Sequence, residues 1–218
     1  YLLAALPAAL CFFLTFSKGG WLLGLPASLL ALGLLAGGRT RRITLGLTVA
    51  AFVVLVPLAT TARLRSLFSL QGTSFLRVKL WEAAWDMGRD HPLWGVGLDN
   101  FLYQYPRYMR PDAASEPNLS HPHNLLLDFW LRLGVPGLLA FVWVQVAFFR
   151  QALTVWRRRS DPLLWTVGVG LAAGMVASLA HGLVDMTFFV PELAALCGLM
   201  LGFVRRLEAV MPGEMENR

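Results

Sequence analysis

The 218-residue sequence has few charged residues, and this shortage is its most telling property. Only 15% of the residues are Asp, Glu, Lys or Arg, whereas soluble domains carry roughly 25%. Because 56% of the residues are hydrophobic, the chain lacks the charge needed to cover a globular surface. The composition therefore predicts an integral membrane protein and excludes an ordinary soluble domain.

Cysteine is scarce as well, and the features of a signal peptide are missing. Cys11 and Cys197 both lie inside apolar runs, so they are expected to be small core residues and not a disulfide or metal-binding pair. The N-terminal segment has neither a basic region nor a small-residue cleavage site. Since apolar sequence begins at once with Tyr1, we expect a fragment of a longer polytopic protein or a protein whose start is mis-assigned.

Six apolar stretches approach the roughly 20 residues that a helix needs to cross the hydrocarbon core. They are residues 1–16, 21–37, 43–61, 124–149, 163–181 and 187–204. Basic residues cluster in three places, at residues 39–42, 150–159 and 205–206. If the spans alternate in direction, all three clusters face one side, which the positive-inside rule makes cytoplasmic. These arginines account for most of the net charge of +6, so we expect no nucleic-acid partner.

The predicted fold is an all-α polytopic membrane bundle with about six transmembrane helices and a helical extracytoplasmic loop. Residues 1–62 hold three helices, residues 63–121 form the loop, residues 122–206 hold three more helices, and residues 207–218 form a cytoplasmic tail. The loop carries seven basic and six acidic residues, so it is expected to be a folded element and not a basic arm. Its residues 111–120, rich in Pro, Ser and Asn, are predicted to be the most flexible part.

Within the loop, the spacing of charged residues predicts an amphipathic helix over residues 74–89. One polar stripe on this helix consists of Lys79, Glu82, Asp86 and Arg89. Arg77 projects to the opposite face, beside Trp81. The small residues Ala84 and Gly88 lie along the same line. This arrangement favours close packing around a buried anionic partner, and a snorkelling or structurally paired arginine is the alternative.

The segment His121-Pro122-His123-Asn124 sets two imidazoles and an amide where the polar loop meets an apolar run. Pro122 suits the first position of a helix, so His123 is expected in the first turn of the next span. The positive end of the helix dipole disfavours an imidazolium, which leaves a neutral ring that accepts a proton. Asn124 is expected to orient this ring or a substrate hydroxyl. A histidine that only hydrogen-bonds at the interface is the alternative.

Two histidines at i and i+2 could instead hold a metal ion, but such a site recruits further ligands. The candidates on the outer side are His91, Asp99, Asp112, Glu116, His181 and Asp185. Their spacing does not resemble a ligand motif, so no metal is expected.

Other charged residues lie near the outer ends of the predicted spans. Lys18 adjoins two glycines, and is either a snorkelling lysine or a cation above a backbone that an anion approaches closely. Arg63 and Arg65 follow a span at the outer face, where topology alone does not favour positive charge.

Two further pairs have a spacing of four residues, which brings side chains together on a helix. His181 and Asp185 share either a helical face or a tight outer turn, and charged groups at such depths are usually functional or paired. Asp128 and Arg132 lie within the span that follows His123, and a mutual ion pair is the preferred interpretation.

Four motifs in this order resemble the C-terminal half of the O-antigen ligase and polymerase superfamily, which are membrane glycosyltransferases. Ser17-Lys18-Gly19 looks like the family's Ser-Arg-Gly, with lysine in place of arginine. The second motif comprises Arg77, Trp81, His91-Pro92, Gly95-Val96-Gly97 and Asn100-Phe101. His123-Asn124 followed by Gly134 and Gly137 is similar to the family's His-Asn-x9-Gly-x-x-Gly pattern. His181 and Asp185 look like a common late pair.

The resemblance implies a GT-C-type bundle in the bacterial cytoplasmic membrane, with its active site facing the periplasm or cell exterior. It implies transfer of a glycan from a polyprenyl (undecaprenyl) diphosphate carrier to an acceptor hydroxyl on lipid A core, another glycan or a protein. Apart from these substrates and membrane lipids, no partner or cofactor is implied. It also implies about twice as many spans as this chain offers, so that an N-terminal half is missing.

The resemblance also assigns roles to residues. His123 is the expected general base, and Arg77 is the second expected catalytic residue. The expected ligands of the substrate diphosphate are Lys18, Arg63, Arg65 and Arg77. The expected positioning residues are His121, Asn124, His181 and Asp185.

Several other functions share parts of this pattern. A polysaccharide polymerase and a protein O-oligosaccharyltransferase would use the same donor site with a different acceptor. A small-anion transporter, for example of bicarbonate, would use the same outer cations, but it needs a path to both membrane faces. Because the polar groups crowd one face, transport is disfavoured, as is a purely structural subunit.

Overall fold

The computed structural model describes residues 2–15, 17–58, 73–113 and 118–211. Every regular element in these four ranges is helical, which confirms the predicted all-α class. The α-helices of the described ranges are α1 (Leu2–Leu14), α2 (Leu25–Ala36), α3 (Gly38–Leu58), α4 (Thr73–Asp90), α5 (Phe101–Tyr108), α6 (Leu125–Arg157), α7 (Pro162–Gly182) and α8 (Pro191–Val210). A π-helix, Gly20–Gly24, leads directly into α2, and Pro111–Ala113 form a 3-10 turn.

Among the described residues, α6 and α7 are the two helices long and apolar enough to cross a membrane. They correspond to two of the six predicted spans, although α6 continues to Arg157 and not to residue 149. The π-helix and α2 together give a shorter apolar helix, Gly20–Ala36. The other predicted spans, and with them the six-helix topology, remain predictions.

Helices α6, α7 and α8 pack around one hydrophobic core, and α2 packs against α7 and α3. The fully buried side chains of this core include Phe148, Val155, Met175 and Val204. Asp161 is the N-cap of α7, because its side chain accepts hydrogen bonds from the Leu163 and Leu164 backbone N–H groups. This packing fixes where the start of α6 and the end of α7 lie relative to each other.

Helix α4 covers residues 74–89, for which an amphipathic helix is predicted, and both of its faces contact protein. Its polar stripe pairs with the segment after α5: Arg110 Nη2 lies 2.7 Å from Asp86 Oδ2, and Lys79 Nζ lies 3.7 Å from Asp112 Oδ2. On the opposite face Ala84 is fully buried. A Cβ atom at Gly88 would lie 2.7 Å from the ring of Trp130 on α6. The small residues of this face therefore let α4 pack closely against α6, as predicted.

Helix α6 is broken at Gly134, which has φ 68° and ψ −171°. A side chain there would collide with the carbonyl oxygen of Leu93, so only glycine fits. The Val135 N–H donates to the Pro92 carbonyl at 3.0 Å, which replaces a bond that the helix has lost. The prediction of one continuous span missed this break, although a glycine and Pro136 marked the place.

The other half of the same junction is Gly95, with φ 66°. A Cβ atom there would strike the Leu131 carbonyl, and the Val96 N–H donates to that carbonyl at 2.6 Å. The loop after α4 is thus inserted into the broken part of α6. Two motifs that the sequence separates by about forty residues therefore form one junction.

The cysteines and the predicted flexible segment agree only in part with expectation. Cys197 is buried as predicted, whereas Cys11 on α1 is exposed, and both are free thiols. Residues 111–113 of the predicted flexible segment form an ordered turn, whereas residues 114–117 lie outside the described residues.

Candidate functional site

The loop that carries the two central histidines ends at a helix cap. Asn124 Oδ1 accepts hydrogen bonds from the Leu126 and Leu127 N–H groups, both at 3.1 Å, so Asn124 is the N-cap of α6. The prediction that His123 lies in the first helical turn was wrong, because the helix starts at Asn124 and not at Pro122. His123 has φ 48°, a left-handed conformation that is rare for a non-glycine residue and recurs at functional sites.

His123 contacts a carboxylate from the connection between α7 and α8. Its Nδ1 lies 2.9 Å from Asp185 Oδ1, which also accepts from the Met186 N–H at 2.9 Å. The Asn124 side chain donates to the Leu183 carbonyl at 3.0 Å. Asn124 therefore fixes the histidine loop to the segment that presents Asp185. Its amide is bonded to backbone groups on both sides of the site.

His181 approaches the other oxygen of the same carboxylate. It lies in the last turn of α7, with Nε2 3.7 Å from Asp185 Oδ2 and 3.5 Å from Ser17 Oγ. Ser17 Oγ also accepts from the Gly20 N–H at 3.1 Å. A Cβ atom at Gly19 would lie 2.7 Å from the His181 ring. The Ser-Lys-Gly motif and the late histidine are thus neighbours because glycine allows this approach.

His121 completes the cluster on the loop side. Its Nε2 lies 3.2 Å from His123 Nδ1, and its Nδ1 lies 3.0 Å from Ser120 Oγ. Between the two histidines, the Pro122 carbonyl accepts a 2.9 Å hydrogen bond from the Trp81 indole of α4. Helix α4 therefore holds the histidine loop through Trp81, in addition to the contact of His123 with Asp185.

The electrostatics of the cluster assign its protons. Burial alone raises the pKa of Asp185, but hydrogen bonds from His123, His181 and the Met186 N–H together hold that pKa well below its usual range. An ionised carboxylate only accepts hydrogen bonds, so His123 donates from Nδ1 and keeps a lone pair on Nε2. Burial lowers the pKa of His121 to about 4, and repulsion by His123 acts in the same direction. His121 is therefore a neutral acceptor at neutral pH.

The same side chains could also coordinate a metal ion. One ligand atom each from His121, His123 and Asp185 lies within 4.8 Å of the other two, and zinc sites combine such nitrogen and carboxylate ligands. Sequence spacing did not reveal this set, because the fold brings Asp185 in from 62 residues away. The expectation of a metal-free site stays a prediction.

Two of the four predicted diphosphate ligands, Arg77 and Lys18, belong to the described residues. Arg77 is half-buried, one turn before Trp81 on α4. Within the described part of the chain it has no hydrogen-bonded or ion-paired partner, so the expected buried anionic partner is not found there. Lys18 is exposed. Arg63 and Arg65 lie outside the described residues.

Other side chains of the protein pack directly against Gly19 and Gly20, the glycines that follow Lys18. A Cβ atom at Gly20 would lie 3.0 Å from Phe12, just as one at Gly19 would meet His181. These glycines serve close packing here, which differs from the predicted open approach for an anion.

A second charged cluster lies further along α6. Arg132 Nε donates to Asp128 Oδ1 at 2.8 Å, which confirms the predicted ion pair. The guanidinium also pairs with Asp99, which precedes α5 and has φ 58°. Its Nη2 lies 3.8 Å from Met186 Sδ. The sequence pointed to the first of these contacts through its i,i+4 spacing and to none of the others.

The sequence matches the model of a known protein family. Residues 3–142 match the sequence model of the Wzy_C family, described as O-antigen ligase, and this match covers more than half of the chain. No curated protein matches the chain. The matched region contains the first three motifs and ends before His181 and Asp185. Members of this family are membrane proteins of the glycosyltransferase type, which act on lipid-linked glycans and acceptors. The predicted resemblance is therefore confirmed, and the chain belongs to the O-antigen ligase family.

Proposed function

We propose that this protein transfers a glycan from a polyprenyl diphosphate carrier to an acceptor hydroxyl, with His123 as general base. The observation that carries the proposal is the 2.9 Å contact between His123 Nδ1 and Asp185 Oδ1. A carboxylate on one ring nitrogen holds the imidazole in the tautomer whose other nitrogen accepts a proton. Within the described part of the chain, His123 Nε2 has no hydrogen-bond partner, so it is open to a substrate.

In the proposed reaction, His123 Nε2 removes the proton of the acceptor hydroxyl as its oxygen attacks the anomeric carbon of the donor sugar. A new glycosidic bond forms, and the bond from that carbon to the diphosphate oxygen breaks with its electron pair. The polyprenyl diphosphate leaves as an anion. Asp185 stabilises the imidazolium during this step, and the proton then passes to solvent or to the leaving diphosphate.

Cations near the diphosphate would stabilise the charge that develops on the leaving group. Arg77 is proposed for this role because it is half-buried, has no protein partner among the described residues, and lies one turn from Trp81 beside the histidine loop. Lys18, with Arg63 and Arg65, is proposed to contribute further positive charge. A lysine provides a point charge only, and lacks the bidentate fork of arginine.

The proposed setting is the bacterial cytoplasmic membrane, crossed by about six helices of this chain, with the site facing the periplasm or cell exterior. The histidine loop lies at one end of α6, while Arg157 and Arg158 lie at its other end. This polarity agrees with the positive-inside rule. Undecaprenyl diphosphate is the proposed carrier and lipid A core the proposed acceptor.

The decisive experiment is glycan transfer by purified His123→Ala protein in detergent with a lipid-diphosphate-linked glycan. We expect a loss of at least about 10²-fold in rate, the scale of general-base catalysis, with unchanged expression and membrane insertion. The assay is repeated with EDTA, which should leave the wild-type rate unchanged. Normal transfer by the variant would overturn the general-base role, and a chelator-sensitive rate restored by Zn²⁺ would overturn metal independence.

A second variant tests the diphosphate ligand. Arg77→Lys keeps the charge but removes the planar fork, so we expect a loss of about tenfold or more in kcat/KM. The matched control is Arg107→Lys, because Arg107 is exposed on α5 and bonds only Gln104 among the described residues. Equal rates for the two variants would argue against diphosphate binding by Arg77.

A further inference from the structure

A separate concave surface adjoins the histidine loop on the outer side of α4. It has a volume of about 380 Å³, within the range of roughly 300–1,000 Å³ typical of small-molecule sites. Its lining combines two indoles, two carboxylates, one guanidinium and an aliphatic floor, from Trp81, Trp85, Glu82, Asp86, Arg110 and Leu127. The mechanism proposed above uses none of these side chains.

The two indoles are held in place although one of them is largely open to solvent. Trp81 is fixed by its hydrogen bond to the Pro122 carbonyl. Trp85 is 55% exposed, and its ring is held edge-on against Trp130, with centroids 5.2 Å apart and planes at 69°. A large exposed apolar side chain with a fixed ring is a preorganised surface for stacking.

The polar side of the pocket is also preorganised. Arg110 Nη2 lies 2.7 Å from Asp86 Oδ2, and Arg110 Nε lies 3.5 Å from Glu82 Oε2. All three side chains remain about 40% exposed. Because a carboxylate offers about four acceptor positions, this pairing leaves acceptors directed at solvent. The pocket therefore presents fixed acceptors and donors beside the indole faces.

The charge of the lining selects the kind of ligand. Arg110 is paired with both carboxylates, and Lys79 Nζ lies 3.2 Å from Glu82 Oε2, so the cations near the pocket are already engaged and leave little positive charge for an anion such as phosphate. A purely apolar ligand would cover the remaining carboxylate acceptors without supplying donors. A pyranose ring satisfies both sides, since its C–H face stacks on an indole and its hydroxyls donate to carboxylates and accept from arginine. We propose that this pocket is a subsite for one sugar ring of a glycan substrate.

The position on α4 connects this subsite to the proposed chemistry. Arg77, Trp81 and Trp85 lie on successive turns of the helix, four residues apart. A glycan whose reacting end lies near Arg77 and the histidine loop thus extends past Trp81 to Trp85. The assignment to a glycan substrate rests on the proposed function, whereas the binding of a sugar in the pocket is measurable without catalysis.

The test titrates the purified full-length protein with three methyl glycosides, those of glucose, galactose and N-acetylglucosamine, followed by saturation-transfer NMR and tryptophan fluorescence. At least one should bind saturably, with Kd in about the millimolar range. Trp85→Ala should weaken this binding about tenfold or more, and Trp85→Phe should restore most of it. Trp94→Ala is the matched control, because Trp94 is 79% exposed in the segment that follows α4 and lies outside the pocket.

Binding of the glycosides should be unchanged in His123→Ala, so the pocket is judged even if the transfer reaction fails. In the transfer assay, Trp85→Ala should raise one KM about tenfold with kcat nearly unchanged. The substrate whose KM rises, donor or acceptor, identifies the glycan that occupies the pocket. Absence of saturable binding to the wild type up to about 100 mM, or equal binding by Trp85→Ala, would overturn the subsite.

Discussion

Two charged clusters lie near the start of α6, and they use similar groups in different ways. The histidine cluster consists of His121, His123, His181 and Asp185. The arginine cluster consists of Asp99, Asp128 and Arg132. The Asp185 side chain is 34% exposed, whereas the side chains of Asp128 and Arg132 are only 2% and 5% exposed. The first cluster is therefore partly open to solvent, whereas the core of the second is not.

The clusters also differ in which atoms remain available. In the arginine cluster, the three guanidinium nitrogens contact Asp128, Asp99 and Met186. In the histidine cluster, both hydrogen-bonding contacts that His123 makes with described residues involve Nδ1. An ion pair in which each guanidinium nitrogen makes a contact joins elements of the fold, whereas an oriented imidazole with one nitrogen unbonded among the described residues keeps an atom for the proposed reaction. Access and an open atom, and not the presence of charge, separate a site from a structural contact.

The largest effect is expected from Asp185→Asn, which keeps the shape of the side chain but removes its charge. The amide can donate to His123 Nδ1 and so favour the wrong tautomer, an exchange that costs up to about 10⁴-fold in kcat in other His-carboxylate pairs. We expect a loss of at least about 10²-fold in transfer rate, with a thermal midpoint close to that of the wild type. A rate within threefold of wild type would show that the carboxylate does not orient the base.

The arginine cluster should respond in the opposite way. Arg132→Met leaves Asp128 buried without its partner, and loss of one member of a buried pair costs about 3–5 kcal/mol. We expect a lower thermal midpoint in detergent, with the rate per folded molecule within a few fold of wild type. Asp99→Asn is the matched control, since the Asp99 side chain is 88% exposed, exposed pairs contribute about 0–1 kcal/mol, and asparagine tolerates the left-handed backbone of this position. An Arg132→Met protein of normal stability but low kcat would show that Arg132 contributes to catalysis and not to folding.

The sequence predicted one of these clusters better than the other, for a physical reason. Local spacing reveals contacts between residues four apart on a helix, and this found the pair of Asp128 and Arg132. It also grouped the two loop histidines. It did not reveal that Asp185 bridges His123 and His181, or that Asp99 reaches Arg132, because packing of distant segments decides both.

The glycines illustrate the same limit. Gly134 and Gly95 were recognised as parts of motifs, but their role became visible only when each proved to face a carbonyl of the other segment. Similarly, the residue type of Asn124 suited several roles, and only the observed N-cap and the bond to Leu183 identify the one it performs. A sequence motif therefore identifies the residue, whereas its contact partner is known only from the folded structure.

The smallest expected effect concerns pH and separates the clusters once more, because arginine stays charged throughout the accessible range. The pKa of His121 is about 4 in the folded protein, against 6.5 for an unperturbed histidine. Between these values the unfolded chain binds a proton that the folded chain does not, so stability falls as pH decreases from about 6.5 towards 4. His121→Gln removes this contribution.

We therefore expect the thermal midpoint to fall less between pH 7.5 and pH 5 in His121→Gln than in the wild type, by about 2–4 °C. The measurement is differential scanning fluorimetry of detergent-purified protein at both pH values. His91→Gln is the matched control, because His91 is exposed at the end of α4 and outside the histidine cluster. An equal fall of the thermal midpoint in the wild type and in His121→Gln would mean that burial of His121 does not lower its pKa. His121 would then not be held neutral beside His123, and the two clusters would not differ in their response to pH.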